Sequence, residues 1–202
     1  RWVGQSRGLN KLGQIGRNVR EELMTGAVIG GKRYDTLIIT ERHDAVSVVR
    51  WGNTVRELRD FHERMIEVTP SAEAYFFEPW LGLPNKSDPA DWLSYERAAS
   101  AMWQCVTTRI NVSLEAEGRS DRIRNLPVGL ALVEWIERAA AGKVPGFTGS
   151  DTKELLNRVF SDDVHLKPLG VYYVAALTYS FVFGQSPLGA WAPDGISKDL
   201  AT

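Results

Sequence analysis

Three short apolar segments, each followed by a helical pattern, limit the folds open to this chain. The first, Tyr34–Thr40, is rich in β-branched residues and has no helical period. The others are Ala74–Phe77, which follows a Thr-Pro break, and Ile123–Val128. Strands that alternate with helices predict a parallel sheet covered by helices on both faces. We therefore expect an α/β protein with a three-layer α/β/α architecture.

Helical patterns account for most of the remaining chain. They cover Val55–Ile66, Pro89–Val106, Leu130–Ala141, Asp151–Phe160 and Pro168–Phe183. The last of these is apolar on nearly all sides, which predicts a buried helix. Three strands are few for this many helices, so we expect a further strand before residue 1.

Size and charge exclude some classes of protein. A length of 202 residues favours one domain, residues 1–202. Lys and Arg total 24 and Asp and Glu total 25, for a formal charge of −1. Nucleic-acid-binding proteins depend on a strong basic excess, so this balance argues against that role.

The sequence predicts neither a membrane span nor a leader. Its longest apolar stretch, Val171–Phe183, is interrupted by Thr178 and Ser180 and is too short and too polar to cross a bilayer. No charged-then-apolar leader follows Arg1. The compartment stays open between a cytoplasmic location and, if a leader has been removed, a periplasmic or secreted one. The abrupt start predicts an N-terminally incomplete domain.

Asp162 and His165 form the strongest candidate for chemistry. They are three residues apart on a predicted loop that enters the last helix. At this spacing the carboxylate can hold the imidazole in one tautomer, and the imidazole can then act as general base toward a hydroxyl nucleophile. The alternative interpretation is a surface loop with an Asp that caps the helix.

The surrounding sequence resembles a known family. Asp162–Gly170, running into Val171–Leu177, resembles the last sequence block of the SGNH (GDSL-type) hydrolases. Most of residues 34–183 is similar to bacterial SGNH-like proteins in order and spacing, including Phe77–Trp80 and Asn125–Gly129. The resemblance implies a flavodoxin-like parallel sheet, a Ser-His-Asp triad that contains Asp162 and His165, and no cofactor or metal.

The chain departs from this family in other blocks. The family carries a Gly-Asp-Ser nucleophile motif after its first strand and a Gly-x-Asn-Asp oxyanion motif after its third. Here Glu41 takes the Gly place of the oxyanion motif, and His43 takes the Asn place. An imidazole N–H can donate to an oxyanion as Asn does, so His43 is a candidate oxyanion residue. The alternative is a polar residue at the end of a strand.

The position of the nucleophile stays open between two alternatives. Gly4-Gln5-Ser6-Arg7-Gly8 matches the Gly-x-Ser-x-Gly elbow pattern, which makes Ser6 one candidate. The elbow needs a preceding strand, and only three residues precede Gly4. The other candidate is a serine upstream of Arg1.

Other polar residues have less specific interpretations. Glu78 and Trp80 follow a strand on the side where parallel sheets bind ligands, so we expect them to line a substrate pocket. The alternative for Trp80 is structural packing. We expect His62 to be a partly exposed structural residue and Cys105 to lie in the core. Three scattered His and one Cys predict no metal site.

These features predict a serine-type ester hydrolase that removes a short acyl group from a small molecule or a carbohydrate. His165 would be the general base and Asp162 its orienting partner. The alternative is a non-catalytic SGNH-fold protein that binds a glycan or a protein partner, which the missing family motifs favour.

Overall fold

The computed structural model describes residues 28–29, 32–147 and 151–197. Within these ranges the chain forms five strands and six helices. The strands are β1 (Val28–Ile29), β2 (Lys32–Arg33), β3 (Thr36–Thr40), β4 (Glu73–Phe77) and β5 (Ile123–Leu126). The helices are α1 (Ala45–Trp51), α2 (Thr54–Val68), α3 (Ala90–Ala116), α4 (Val128–Ala140), α5 (Thr152–Val159) and α6 (Pro168–Phe183).

The three predicted strands pair as one parallel sheet in the order β3-β4-β5. In its register, Ile38 lies opposite Tyr75, and Tyr75 lies opposite Arg124. Because the strands are parallel, their carboxyl ends lie at one edge of the sheet. The mixed α/β organisation and the three-stranded parallel sheet confirm the predicted class and are compatible with three layers. Strands β1 and β2 form a separate antiparallel pair.

Two hydrophobic clusters form the core. The first joins sheet residues such as Leu37 and Phe76 to α1, α2 and α3, with Trp103 fully buried at its centre. The second joins Leu126 and the start of α3 to α4, α5 and the first turn of α6. The second cluster therefore supports the loop that connects α5 to α6.

Helix α6 differs from its predicted burial. Of its 16 residues only Leu169 and Gly170 are buried, and Phe183 is 62% exposed. One side of the helix packs on α4, where Tyr173 stacks on Trp135 with ring centroids 4.4 Å apart. An apolar pattern on all sides predicts burial only if neighbours surround the helix, and the described residues cover α6 on one side. None of the described helices is long and apolar enough to span a bilayer.

Two further local predictions were wrong, and one helix was missed. Cys105 is exposed, because the inward face of α3 runs through Trp103, Val106 and Ile110 instead. His62 is completely buried, because it lies on the same face of α2 as Leu58 and hydrogen-bonds inward. Helix α1 was not predicted at all.

Candidate functional site

The loop between α5 and α6 forms a short closed turn. Phe160 and Leu166 form an antiparallel bridge across its base, and the N–H of Ser161 donates to the carbonyl of His165 at 2.8 Å. Pro168 begins α6 directly after this turn, where its fixed φ suits the first helical position. The turn brings Asp162 and His165 to the same side of the loop.

Asp162 and His165 hydrogen-bond to each other in this turn. Oδ2 of Asp162 lies 2.8 Å from Nδ1 of His165. The other oxygen, Oδ1, accepts the backbone N–H of His165 at 2.7 Å and that of Val164 at 2.8 Å. These bonds, led by the backbone N–H of His165, lower the pKa of Asp162 to about 2.

The ionised carboxylate determines the tautomer of the imidazole. A carboxylate without a proton only accepts hydrogen bonds, so Nδ1 of neutral His165 carries the hydrogen and Nε2 carries the free lone pair. The imidazole is 77% exposed, and no described residue hydrogen-bonds to Nε2. This arrangement can accept a proton from a group that approaches from outside the loop.

The segment after β4 holds the loop from its other side. The indole Nε1 of Trp80 donates to the carbonyl of Val164 at 2.9 Å, and the N–H of Leu83 donates to the carbonyl of Asp163 at 2.5 Å. Trp80 itself is half-buried. Since this segment leaves the carboxyl end of β4, the Asp162–His165 pair lies at the carboxyl edge of the sheet.

Glu78 lies inside the protein, although we expected it to line an open pocket. Its side chain is 1% exposed, and Oε2 accepts from the hydroxyl of Ser100 at 2.8 Å. Oε1 has no hydrogen-bond partner among the described residues. Burial raises the pKa of Glu78 to about 7, against the smaller opposing effect of Ser100. Glu78 therefore does not reach the surface beside His165.

Sequence reasoning missed a second buried carboxyl group, that of Glu96. It is also 1% exposed, and Oε1 accepts the N–H of Leu81 at 2.6 Å. Burial raises its pKa to about 7, partly offset by the bond from Leu81. The signal that could have found it is the spacing of Trp92, Glu96 and Ser100. Residues four apart share one helix face, and the other residues of this face are buried.

The two remaining candidates from the sequence are not joined to this site. His43 is exposed in the loop after β3, and its contact with a described residue is made by its carbonyl, which accepts from the hydroxyl of Tyr95 at 3.4 Å. Ser6 lies outside the described residues. No group of three or more metal-ligating side chains occurs in the described part of the chain.

Comparisons of the chain with protein-family models, curated proteins and solved structures gave no match. The functional assignment therefore depends on the residues and on their geometry.

Proposed function

We propose that this protein is a serine-type ester hydrolase with an SGNH-like, flavodoxin-like arrangement of its parallel sheet. The observation that carries this proposal is the hydrogen-bonded pair of Asp162 and His165 on an exposed loop at the carboxyl edge of the sheet. Open α/β sheets bind their ligands at this edge.

The reaction that fits this pair is acyl transfer in two steps. Nε2 of His165 takes the proton of a serine hydroxyl while the serine oxygen attacks the acyl carbon. His165 then gives this proton to the leaving alkoxide, and an acyl-enzyme remains. In the second step His165 activates water, which releases the acid and restores the serine. Asp162 holds the imidazole orientation in both steps and stabilises its cationic form.

The nucleophile is proposed to be Ser6 or a serine upstream of Arg1, as the sequence suggested. The oxyanion would be held by backbone N–H groups together with a polar side chain, for which His43 is the candidate. No cofactor or metal ion takes part in this mechanism.

The proposed substrate is a short acyl ester, on a carbohydrate or another small molecule. Trp80 supports this class of substrate because its half-buried indole adjoins the His165 loop through Val164. Aromatic side chains offer an apolar face with a polar edge, which suits contact with a sugar ring. Here the polar edge is already bonded to the loop and part of the ring packs against the second hydrophobic cluster, so the remaining exposed part of the indole is what a substrate would contact.

A second candidate function is non-catalytic binding of a glycan or a protein. Glu41 and His43 favour it, because by the sequence resemblance they stand where SGNH hydrolases carry Gly and Asn. Glu41 is also occupied elsewhere, since its Oε2 accepts from the hydroxyl of Thr54 at 3.2 Å.

Labelling with a fluorophosphonate probe distinguishes the two functions. We expect the wild-type protein to be modified on one serine, and the His165→Ala variant to label at least about 10²-fold more slowly. Asp163→Asn is the matched control, because Asp163 is the exposed neighbour whose side chain makes no hydrogen bond to His165. Peptide mapping then shows whether Ser6 is the modified residue. Equal labelling of wild type and His165→Ala, or no labelling of the full-length protein, would exclude the hydrolase and favour the binding function.

A further inference from the structure

A four-residue segment, Trp80–Leu83, connects the buried face of α3 to the His165 loop. It leaves the carboxyl end of β4 and makes hydrogen bonds in both directions. The bonds from α3 are made to the backbone of the segment, and the bonds from the segment are made to backbone carbonyls of the loop. The segment therefore joins α3 to the loop through hydrogen bonds on both sides.

On the side of α3, both backbone polar groups of one residue, Leu81, are held. Glu96 accepts the N–H of Leu81 at 2.6 Å, and the indole Nε1 of Trp92 donates to the carbonyl of Leu81 at 2.8 Å. Glu96 and Trp92 are four residues apart on one face of α3, and both are buried. Leu81 is thus held between two side chains that have little freedom to move.

On the side of the loop, the two carbonyls between Asp162 and His165 are held. Trp80 donates to Val164, and Leu83 donates to Asp163. These two peptide units set the spacing and the relative orientation of Asp162 and His165. Their position is therefore determined from outside the loop as well as by the Asp162–His165 bond itself.

We propose that Glu96 is a positioning residue for the Asp162–His165 pair, acting through the Trp80–Leu83 segment. An effect of Glu96 on turnover rests on the proposed function. The hydrogen-bonded connection from Glu96 to the loop does not depend on the reaction. Glu96 touches neither residue of the pair, so its effect on them passes through Leu81.

The packing of α4 supports the proposal independently. A Cβ atom at Gly129, in the first turn of α4, would lie 2.6 Å from Oε2 of Glu96 and 3.4 Å from the carbonyl oxygen of Pro79. The absence of a side chain at Gly129 therefore makes room for the Glu96 carboxyl group beside the start of the segment. Burying a carboxyl group costs free energy, and here both of its oxygens are closely confined.

The test measures amide hydrogen exchange by NMR in three variants of the full chain. Glu96→Met keeps the length of the side chain but removes the acceptor, whereas Glu96→Gln keeps a carbonyl oxygen for Leu81. The control is Thr107→Val, a buried position of α3 whose hydroxyl bonds only to carbonyls of its own helix. It reports the effect of a general loss of stability in α3.

In Glu96→Met we expect exchange at the amides of Leu83, Val164 and His165 to rise about tenfold or more over the control. Glu96→Gln should restore slow exchange. The same samples report the tautomer of His165 through its ring nitrogens, and we expect Glu96→Met to lose the single Nδ1–H form. The proposal would be overturned if exchange at these three amides equalled that of the control. It would also be overturned if Glu96→Met and Glu96→Gln showed the same exchange rates.

A substitution outside α3 covers the case in which Glu96→Met does not fold. Gly129→Ala displaces the Glu96 carboxyl group without changing any charge, and it should raise exchange at the same three amides. A rise confined to α4 would overturn the proposal.

The activity measurement separates this proposal from the proposed function. If the protein hydrolyses esters, Glu96→Met should lower kcat about ten- to a hundredfold with KM changed less than about twofold. If exchange and tautomer respond but neither wild type nor variant turns over esters, the hydrolase is wrong and the positioning role stands. If His165→Ala abolishes turnover while Glu96→Met leaves kcat and exchange at control values, the positioning role is wrong and the hydrolase stands.

Discussion

Asp162 binds His165 through both of its carboxylate oxygens: Oδ2 lies 2.8 Å from the ring Nδ1, and Oδ1 accepts the backbone N–H of the same residue at 2.7 Å. The carboxylate therefore determines both the path of the turn and the tautomer of the ring that the turn presents. Since the pair is exposed, its strength does not come from burial. It comes from the number of N–H groups that converge on one carboxylate.

Replacing Asp162 separates these two effects. The amide oxygen of Asp162→Asn can still accept the backbone N–H groups, but its NH₂ group would face Nδ1 and favour the opposite tautomer. We expect the fold to be retained and kcat for a chromogenic acetyl ester to fall by roughly 10²- to 10⁴-fold. Asp163→Asn makes the same change of charge one residue away. It should leave kcat within about twofold, because the side chain of Asp163 does not hydrogen-bond to the general base His165. Equal losses in both variants would refute the role of Asp162.

The two buried carboxyl groups predict how stability depends on pH. The pKa of both Glu78 and Glu96 is raised to about 7, above the value of 4.5 expected for an exposed Glu. The native state therefore keeps protons that the unfolded chain has released between these values. The contribution of these two groups to the free energy of unfolding should be greatest below about pH 4.5 and should be lost as pH rises through 7, by a few kcal/mol for the pair.

Urea denaturation at pH 5 and pH 8 measures this difference. We expect the double variant Glu78→Gln, Glu96→Gln to lose much of the decrease between these pH values. Glu115→Gln is the control on α3, because its side chain is 74% exposed. A decrease of the same size in the double variant and in the wild type would show that other groups cause it.

The contact between buried His62 and Asp121 predicts the opposite pH dependence, a loss of stability as the pH falls. Nε2 of His62 lies 2.7 Å from Oδ2 of Asp121, and Arg119 makes two further bonds to the same carboxylate. Burial is the main cause that lowers the pKa of His62, and the Arg119 bonds lead in lowering that of Asp121 to about 2. The stabilisation from Asp121 is therefore complete above about pH 4 and is lost as pH falls toward 2.

The Asp121→Asn variant should unfold with a free energy about 1–3 kcal/mol lower at pH 7, because Arg119 and His62 lose a charged acceptor. The difference from wild type should shrink as the pH is lowered from 4 toward 2. Chemical denaturation across this range checks it, with the exposed Asp194→Asn as control. A difference that does not change with pH would contradict an ionised Asp121 carboxylate in the folded protein.

Gly170 predicts an exception to helix propensity. A Cβ atom at this position of α6 would lie 2.9 Å from the carbonyl oxygen of Val159 and 3.1 Å from Cδ2 of Leu166. Gly to Ala in a helix ordinarily stabilises by about 1 kcal/mol, but here we expect a loss of roughly 1–3 kcal/mol because the backbone of α5 is in the way. Ala175→Gly, at an exposed position of α6, should cost about 1 kcal/mol by ordinary propensity. Thermal unfolding of both variants measures the contrast, and a more stable Gly170→Ala would contradict the close packing.

Local patterns predicted the strands well and the surroundings of single residues poorly. β3, β4 and β5 lie within two residues of the predicted segments, because β-branched and aromatic runs report directly on a buried strand. Burial of a helix position depends on neighbours that are far away in sequence. For this reason His62 and Cys105 had the opposite exposure to that predicted, and α6 is less covered than its composition suggested.

Patterns of neighbouring residues were enough to predict the α/β class with a parallel sheet, from the alternation of strands and helices, and the pairing of Asp162 with His165, from their spacing of three residues. The tertiary structure determines the position of that pair and the residues outside the loop that hold it. Trp80 reaches Val164 across 84 residues, and Glu96 reaches Leu81 only because α3 packs against the end of β4. A carboxyl group on a helix has the same sequence signal whether it faces solvent or a backbone N–H. Packing alone decides between these environments, and here it buried both Glu78 and Glu96.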